Sequence, residues 1–560
     1  MGGGAVGRRG RGRRRRLMRE TDPRSIAGKL TPPDRRVPLV VVGAGAAGVA
    51  AAIEAARAGV EVVLIDEHPV DNDMMAMDVP LCFGQRMDGS VRNRALMLER
   101  VVETNPDLAA AHEAGVDVQL GTYVWGAFVN GPTVQELPCS MLGLADDRRS
   151  WLLGYDRLIV AAGARDVLLG FPGWERAGTL GAGGAAALLA RYRALAARRV
   201  VVLGSGALGL HTASLALERG IEVAGIVEVD ARVRGDAARA KTLTDRGVPV
   251  FLSHTLQSAR GRTGEIESVV LVAVNRDGTP IAGSEREIAC DAVCWAIGLV
   301  PNVELLHLVG ARLRFVSQLG GWVPEVTARM RTSVPTVFAA GDCTGFHEGM
   351  LAAPDVARAE GRSAGRAAAE SLGAARGRED ETRRRVSAPP TADETHRYWR
   401  AWLDSLIAAG GWEVNVCQCE EVTRRELVET KPPRYLGWQS PQMSARSVTT
   451  LLRDGPLNQD QIKRLTRAGM GPCQSRRCRE QVGLLLARAA NTTLDRIPLP
   501  TFRPPIRPLP LNVLWPADEP AAMREEWVSW FGIPTQFSPH WTAGMAIDEP
   551  TAHARLIVSE

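Results

Sequence analysis

Residues 37–66 run Val37-Pro38-Leu39-Val40-Val41-Val42-Gly43-Ala44-Gly45-Ala46-Ala47-Gly48, then an Ala-rich segment to Gly59, then Val60-Glu61-Val62-Val63-Leu64-Ile65-Asp66. An unbroken apolar run, a tight glycine turn, a segment with small residues at Ala52 and Ala56, and a second apolar run ending on an acid predict a βαβ unit. The chemistry follows from the geometry. Gly43, Gly45 and Gly48 let backbone approach a pyrophosphate, the helix N-terminus offers free N–H groups and a positive dipole, and Asp66 accepts from ribose hydroxyls. A lone GxGxxG is weak, but strand, helix, second strand and terminal acid all agree here.

The pattern recurs. Val200-Val201-Val202-Leu203 leads into Gly204-Ser205-Gly206-Ala207-Leu208-Gly209, a helix to Gly220, and a strand from Ile221 to Val227 before Glu228. An acid at Glu228 favours an unphosphorylated ribose, whereas Arg232 and Arg234 suit a 2′-phosphate, so NAD is preferred to NADP. An empty or adenylate-filled second site is the other reading.

Two further segments, Tyr155 to Ala164 (with Ala161-Ala162-Gly163) and Thr336-Val337-Phe338-Ala339-Ala340-Gly341-Asp342, resemble the two-dinucleotide-domain flavoproteins of the glutathione-reductase-like type. Ala296 to Asn302 is similar to that family's return crossing. The resemblance spans 37 to about 372 and implies an α/β flavoprotein of two Rossmann-like domains, the second inserted in the first. It implies FAD held by Gly43, Gly45, Gly48, Asp66, Glu67, Gly163, Gly341 and Asp342, the last on the ribityl chain. The second nucleotide site is then Gly204, Gly206, Gly209 and Glu228. Beyond Asp342, residues 349–372 are expected to be a helix whose N-terminal dipole suits the flavin pyrimidine edge. His347 lies just before it, either as an ordinary histidine or as a proton donor at the flavin.

The charge is uneven. The 560 residues carry a formal +5, but residues 1–36 hold eleven Arg and Lys29 against Glu20, Asp22 and Asp34, so the remainder is weakly acidic at −4. That argues against nucleic-acid binding by the folded part. The Arg-rich tail reads as a disordered Gly/Arg extension, or as a start upstream of Met18, rather than an anionic-surface anchor. After Arg16 there is no apolar h-region, and no stretch nears 18 apolar residues, so neither export nor a membrane span is expected. Nine cysteines without a secretory signal point to a reducing compartment, the cytoplasm.

Disulfide reductases of that family place a redox pair soon after the first βαβ unit, where this chain has only Cys82, so a dithiol mechanism is not expected. Cys290 and Cys294 lie on an apolar run and read as inert core thiols. Cys417-Gln418-Cys419 and Cys473-Gln474-Ser475-Arg476-Arg477-Cys478 form a C-x-C and a C-x4-C pair. Four thiolates suit a [2Fe–2S] cluster or zinc, with four unrelated buried cysteines as the remaining reading. The surroundings, Cys417 to Thr423 and Arg467 to Gln474, resemble the bacterioferritin-associated-ferredoxin-like [2Fe–2S] domain, which implies a small helical cluster domain with Cys417, Cys419, Cys473 and Cys478 as ligands. Gly469 and Gly471 would let N–H groups approach the cluster, and the helix after Pro472 would present its positive end. Residues 431–447 look like an insertion between the ligand pairs.

The expected division is a tail over 1–36, an FAD domain over 37–168 and 291–372, and an NAD-like domain over 169–290. A linker and amphipathic helix follow over 373–410, striped by Trp399, Trp402, Leu403 and Leu406. The [2Fe–2S] domain takes 411–490 and a Pro/Trp-rich extension 491–560, whose prolines from Pro498 to Pro510 suggest an extended arm that wraps rather than packs. Eight of thirteen tryptophans follow residue 398, for partner contact or for ordinary core packing.

FAD domain, NAD-like domain and cluster domain in one chain resemble the α subunits of heteromeric amine and imino-acid dehydrogenases. This family includes the A subunits of octopine and nopaline oxidases, the hydroxyproline dehydrogenases and the middle subunit of hydrogen cyanide synthase. It implies an FAD-dependent oxidoreductase that relays electrons through FAD and [2Fe–2S] while a D-amino-acid-oxidase-like β flavin subunit oxidises a small amine. A small ferredoxin-like γ subunit is a further implied partner. The other reading is a self-contained NAD(P)H-dependent FAD/iron–sulfur reductase.

Overall fold

Eight-residue β1 (Arg35–Val42) is central because Leu39, Val40 and Val41 are buried on both faces, as a covered parallel strand requires. In the computed structural model, which describes residues 32–70, 86–131, 137–262, 264–346, 351, 354–375, 392–434 and 440–514, β1 leads through Gly43–Gly45 into helix α1 (Ala46–Arg57). Strand β2 (Val62–Asp66) returns parallel to β1. Cys82 and His347 lie outside the described residues, as do residues 1–31, 71–85, 376–391, 435–439 and 515–560.

With β3 (Asp117–Leu120), β4 (Tyr123–Phe128), β5 (Ser140–Ala145) and β6 (Ser150–Val160), the first sheet has the order β3-β2-β1-β6-β5-β4. The second sheet comprises β7 (Thr179–Gly181), β8 (Arg199–Leu203), β9 (Glu222–Glu228), β10 (Val250–Leu252) and β11 (Ala292–Trp295) in the order β10-β9-β8-β11-β7. All its pairings are parallel. Helix α2 (Ala207–Glu218) follows β8 as α1 follows β1. The chain then returns to the first sheet, where β12 (Val337–Ala339) pairs with β6. This is the expected two-Rossmann architecture.

Helix α3 (Pro354–Ser371) starts on a proline, which a first helical turn accommodates without losing a hydrogen bond. It lies against α1 with almost no side chain between them. A Cβ on Gly361 or Gly365 would overlap the backbone carbonyl of Ala47 or Ala51.

Helix α4 (Ala392–Gly410) buries Trp399, Trp402, Leu403 and Leu406, the stripe read from the sequence. These side chains join one hydrophobic core with Val201 and Trp295 of the second sheet and with Cys417, Leu427, Cys478 and Leu485. The Trp295 and Trp402 rings meet edge to face at 5.6 Å. Trp399 and Trp402 therefore follow the core-packing reading. Helix α5 (Arg479–Ala489) is buried along nearly its whole length.

The Pro-rich segment differs from expectation, because it packs. Phe502, Ile506, Arg507 and Leu509 are buried, and the Ile506 N–H donates to Trp125 O at 2.9 Å. Apolar residues alternate with the prolines, so an extended strip both follows the surface of the first sheet's core and inserts into it. These elements, through Leu509, form one unit. A second, small unit consists of Asp147–Arg149 and the residues from Pro510 on, including a short helix Leu511–Leu514.

The α1/α3 contact yields a direct test. Gly361→Val forces two helices apart and is expected to cost about 1–3 kcal/mol. Thermal melts should show a lowered midpoint, whereas Gly89→Ala, with no atom within 4 Å of the new methyl, should leave it unchanged.

Candidate functional site

The ends of β1, β6 and β12 lie side by side. Val42 is level with Val160 and Val160 with Ala339, so the chain leaves all three strands at one edge of the sheet, the edge where open α/β sheets bind ligands. The three leaving segments carry Gly43–Gly45, Gly163 and Gly341–Asp342. Gly43 (φ +105°) has no room for a side chain, because a Cβ would overlap Ala161 O. A Cβ on Gly48 would overlap Gly43 O. Gly45, by contrast, faces open space within 4 Å and sits at the α1 N-cap with no side chain capping the helix. The tight positions are filled by the protein's own backbone and the open one faces outward, which fits a pyrophosphate at the helix N-terminus.

Asp66 Oδ2 accepts from Ala44 N at 2.5 Å and Oδ1 from His68 N at 2.8 Å. The carboxylate thus holds the glycine turn and keeps lone pairs for a ribose. The cleft bordering the turn, ≈ 400 Å³, is lined by Gly45, Asp66, His68, Asn105 and Arg191 among others. Asn105 Nδ2 donates to Ala44 O at 2.8 Å. Gly341 N donates to Glu360 Oε2 at 2.9 Å, which seats the Gly341–Asp342 turn on α3, and a Cβ on Gly341 would lie 2.8 Å from Ala47 Cβ.

Glu67 takes a different place from Asp66. It pairs with Arg507, whose side chain is 4% exposed and lies 4.5 Å over the Tyr123 ring. Burial pushes the Glu67 carboxyl up, but the Arg507 and Arg476 guanidiniums outweigh it and hold the group below its ordinary range. Arg507 gave no signal in the sequence beyond being one basic residue in a Pro-rich run.

In the second sheet Gly204 (φ +106°) and Gly209 repeat the geometry of Gly43 and Gly48. Gly206 caps α2. Glu228 ends β9 but is wholly buried, and its carboxyl is pushed up by desolvation. Cys290 and Cys294 are buried, with the Cys290 thiol pushed up to about 12 by desolvation, in keeping with inert core cysteines.

The four later cysteines come together as two contacting pairs, Cys417 with Cys478 and Cys419 with Cys473. Among the described residues no three His, Cys, Asp or Glu side chains converge to hold a single metal ion. Two pairs suit a two-iron cluster, which takes two ligands on each iron. Four further observations fit it. The Gly469 N–H donates to Cys417 Sγ at 3.4 Å, and a Cβ on Gly471 would overlap Cys419 Cβ. Both amide atoms of Gln418 are buried with no partner. Cys478 is the N-cap of α5, so that helix starts at the thiol.

A buried charge network links this region to the first strand edge. Arg479, one residue past Cys478, donates to Glu304 Oε1 at 2.9 Å, and Arg165, two past Gly163, donates to the same oxygen. Burial pushes the Glu304 carboxyl up, but Arg165 and Arg479 overrule it and hold it down at about 2.

Residues 37–369 match the pyridine nucleotide-disulphide oxidoreductase family, and the chain belongs to that family. It is an FAD-dependent oxidoreductase of two dinucleotide-binding domains. It is 25% identical to the A subunit of opine oxidase from Rhizobium meliloti, over 85% of this chain and 86% of that one. It is 27% identical to the HcnB subunit of hydrogen cyanide synthase from Pseudomonas protegens, over 87% of this chain and 99% of that one. The crystal structure of L-proline dehydrogenase from P. horikoshii shares the fold at a TM-score of 0.56 and 19% identity, covering 87% of this chain and 81% of that one. No helix among the described residues is long and apolar enough to cross a membrane.

Glu304→Gln leaves Arg165 and Arg479 without their shared counter-charge and is expected to cost about 3–5 kcal/mol. Because the folded carboxyl titrates below its unfolded value, the network's contribution is full above pH 4.5 and lost as pH falls toward about 2. Chemical denaturation of both proteins from pH 7 to pH 3 should show the difference between them shrinking with acid; a constant difference refutes the assignment.

Proposed function

We propose that this chain is the FAD- and [2Fe–2S]-bearing electron-transfer subunit of a heteromeric amine or imino-acid dehydrogenase, acting on opine-like N-substituted amino acids. The observation that carries the reading is the extent of the similarity. Relatives named as subunits of opine oxidase and of hydrogen cyanide synthase match 85% and 87% of the chain, well beyond the residues shared with the wider family. Oxidation of the carbon–nitrogen bond belongs to a partner flavin subunit of the D-amino-acid-oxidase type, with a small ferredoxin-like subunit as a further partner.

In this reading Gly43, Gly45, Gly48, Asp66, Glu67, Gly163, Gly341 and Asp342 surround FAD over 37–168 and 291–372. Cys417, Cys419, Cys473 and Cys478 hold the cluster within 411–490. The two cofactors supply one-electron and two-electron carriage when bound. The chain's own part is to exclude water from the thiols, to direct N–H groups at them and to fix their distance from the flavin edge. Fixing that distance falls to a few buried contacts. Gly170 N donates to Gln481 Oε1, and Arg424, which also donates to Gly411 O at 2.6 Å, donates to Gly170 O.

Two measurements test the reading. Cys473→Ala should lose iron and the paramagnetic signal of the reduced cluster while retaining FAD; unchanged iron content refutes the ligand set. Native purification should bring down a second flavin-bearing chain, and amine-dependent dye reduction should require both. Full amine oxidation by the isolated chain would refute the division of labour.

A further inference from the structure

The second glycine turn repeats the first, yet its surroundings are closed. Glu228 stands where a nucleotide's ribose hydroxyls would need an acceptor. Its Oε2 already accepts from Ser205 N at 2.9 Å, Ser205 Oγ at 2.6 Å and the Tyr398 hydroxyl at 3.0 Å, and its Oε1 from Asp230 N at 3.1 Å. Tyr398 belongs to α4, 170 residues further along the chain. The next residue, Trp399, donates its Nε1–H to Ile297 O at 3.0 Å and lies so close to Gly298 that a Cβ there would be 2.8 Å from the indole nitrogen. One turn of α4 therefore lies across the ends of β9 and β11.

The segment after β9 closes the remaining side. Gly235 N donates to Ser205 O at 2.9 Å and Arg234 N to Ser205 Oγ at 3.0 Å. A Cβ on Gly235 would sit 3.0 Å from Gly206 C, so the segment rests on the turn where a pyrophosphate would sit. The Arg234 guanidinium stacks 4.0 Å over the Tyr398 ring and ties the two covers together. A large cleft of ≈ 1460 Å³ lies nearby, with Arg234, Tyr398 and Trp399 in its wall, but Gly204, Ser205, Gly206, Gly209 and Glu228 do not line it. A nucleotide entering that cleft meets the covering side chains and not the cradle.

We infer that the second dinucleotide fold is occupied by the chain itself, the Tyr398 hydroxyl in the place of a ribose hydroxyl on Glu228 and Arg234–Gly235 over the glycine turn. The chain then draws no electrons from NADH or NADPH, and the second domain serves as the seat on which α4 and the cysteine region are mounted. This holds whether or not the four cysteines carry iron. A reductase fed by hydride from NAD(P)H would need Glu228 and Gly206 uncovered.

The test uses the full FAD-loaded chain. Anaerobic titration with NADH and NADPH, followed by flavin absorbance, should give no bleaching, and calorimetry with ADP-ribose should give no binding at about 1 mM. Tyr398→Ala with Trp399→Ala uncovers Glu228 and should tighten ADP-ribose binding by at least about tenfold. Bleaching of the wild-type flavin or wild-type binding of ADP-ribose overturns the inference. So does a double variant with unchanged FAD content and cooperative melting that gains no binding. Should the double variant not fold, hydrogen exchange of the wild-type Ser205 and Gly235 amides decides. Slow exchange without any nucleotide is expected, and fast exchange overturns the inference.

Discussion

Helix α1 has backbone where other helices have side chains, and the first domain is organised around that constraint. On one side Gly48 rests on the carbonyl of Gly43, and on another Gly361 and Gly365 of α3 rest on the carbonyls of Ala47 and Ala51. Small residues on both helices bring their axes close enough that α3 anchors the Gly341 turn through Glu360 while α1 anchors the Gly43 turn. Two segments three hundred residues apart in the chain thereby meet at one strand edge. A Cβ added at Gly361 or Gly365 would overlap backbone, so the helices that carry the two turns would have to separate to admit it.

The second domain has the same glycine geometry, but its strand edge faces the rest of the protein. Tyr398, Trp399 and Trp402 occupy it, and the core continues without a break into Cys417 and Cys478. The Arg165–Glu304–Arg479 network and the bonds to both sides of Gly170 join the same parts. Rigid coupling of this kind suits the electron relay proposed above, since it would hold two carriers at one separation without requiring a conformational step. It also accounts for the burial of a guanidinium as enclosed as that of Arg424, whose hydrogen bonds all run to backbone carbonyls of neighbouring segments.

Much of this was legible in the sequence, and the illegible part has a common cause. Glycine spacing and apolar runs are local signals with local physical meaning, so both βαβ units, the Trp399/Trp402 stripe and the grouping of the cysteines by region could be read from short windows. Amphipathicity says that α4 has a buried face but not what it is buried against, and Tyr398 looks like any residue at the border of such a face. Glu228 illustrates the limit: its position at the end of a strand was readable, while the donor that meets it lies 170 residues further on. Arg507 is the extreme case, because a basic residue among prolines suggests a solvated arm and only the fold shows it beside Glu67.

That Arg507 contact bears on how the protein is made. The first βαβ unit is the earliest part of this fold to be synthesised, yet the partner of Glu67 follows it by 440 residues. During synthesis the acid beside the glycine turn stands without its counter-charge, and the Tyr123 ring without its cover, until nearly the whole chain has emerged. Domains ordinarily complete themselves in order of translation. Here the first to begin is among the last to be finished, so a chain truncated before the Pro-rich strip carries an incomplete nucleotide-binding domain at its opposite end.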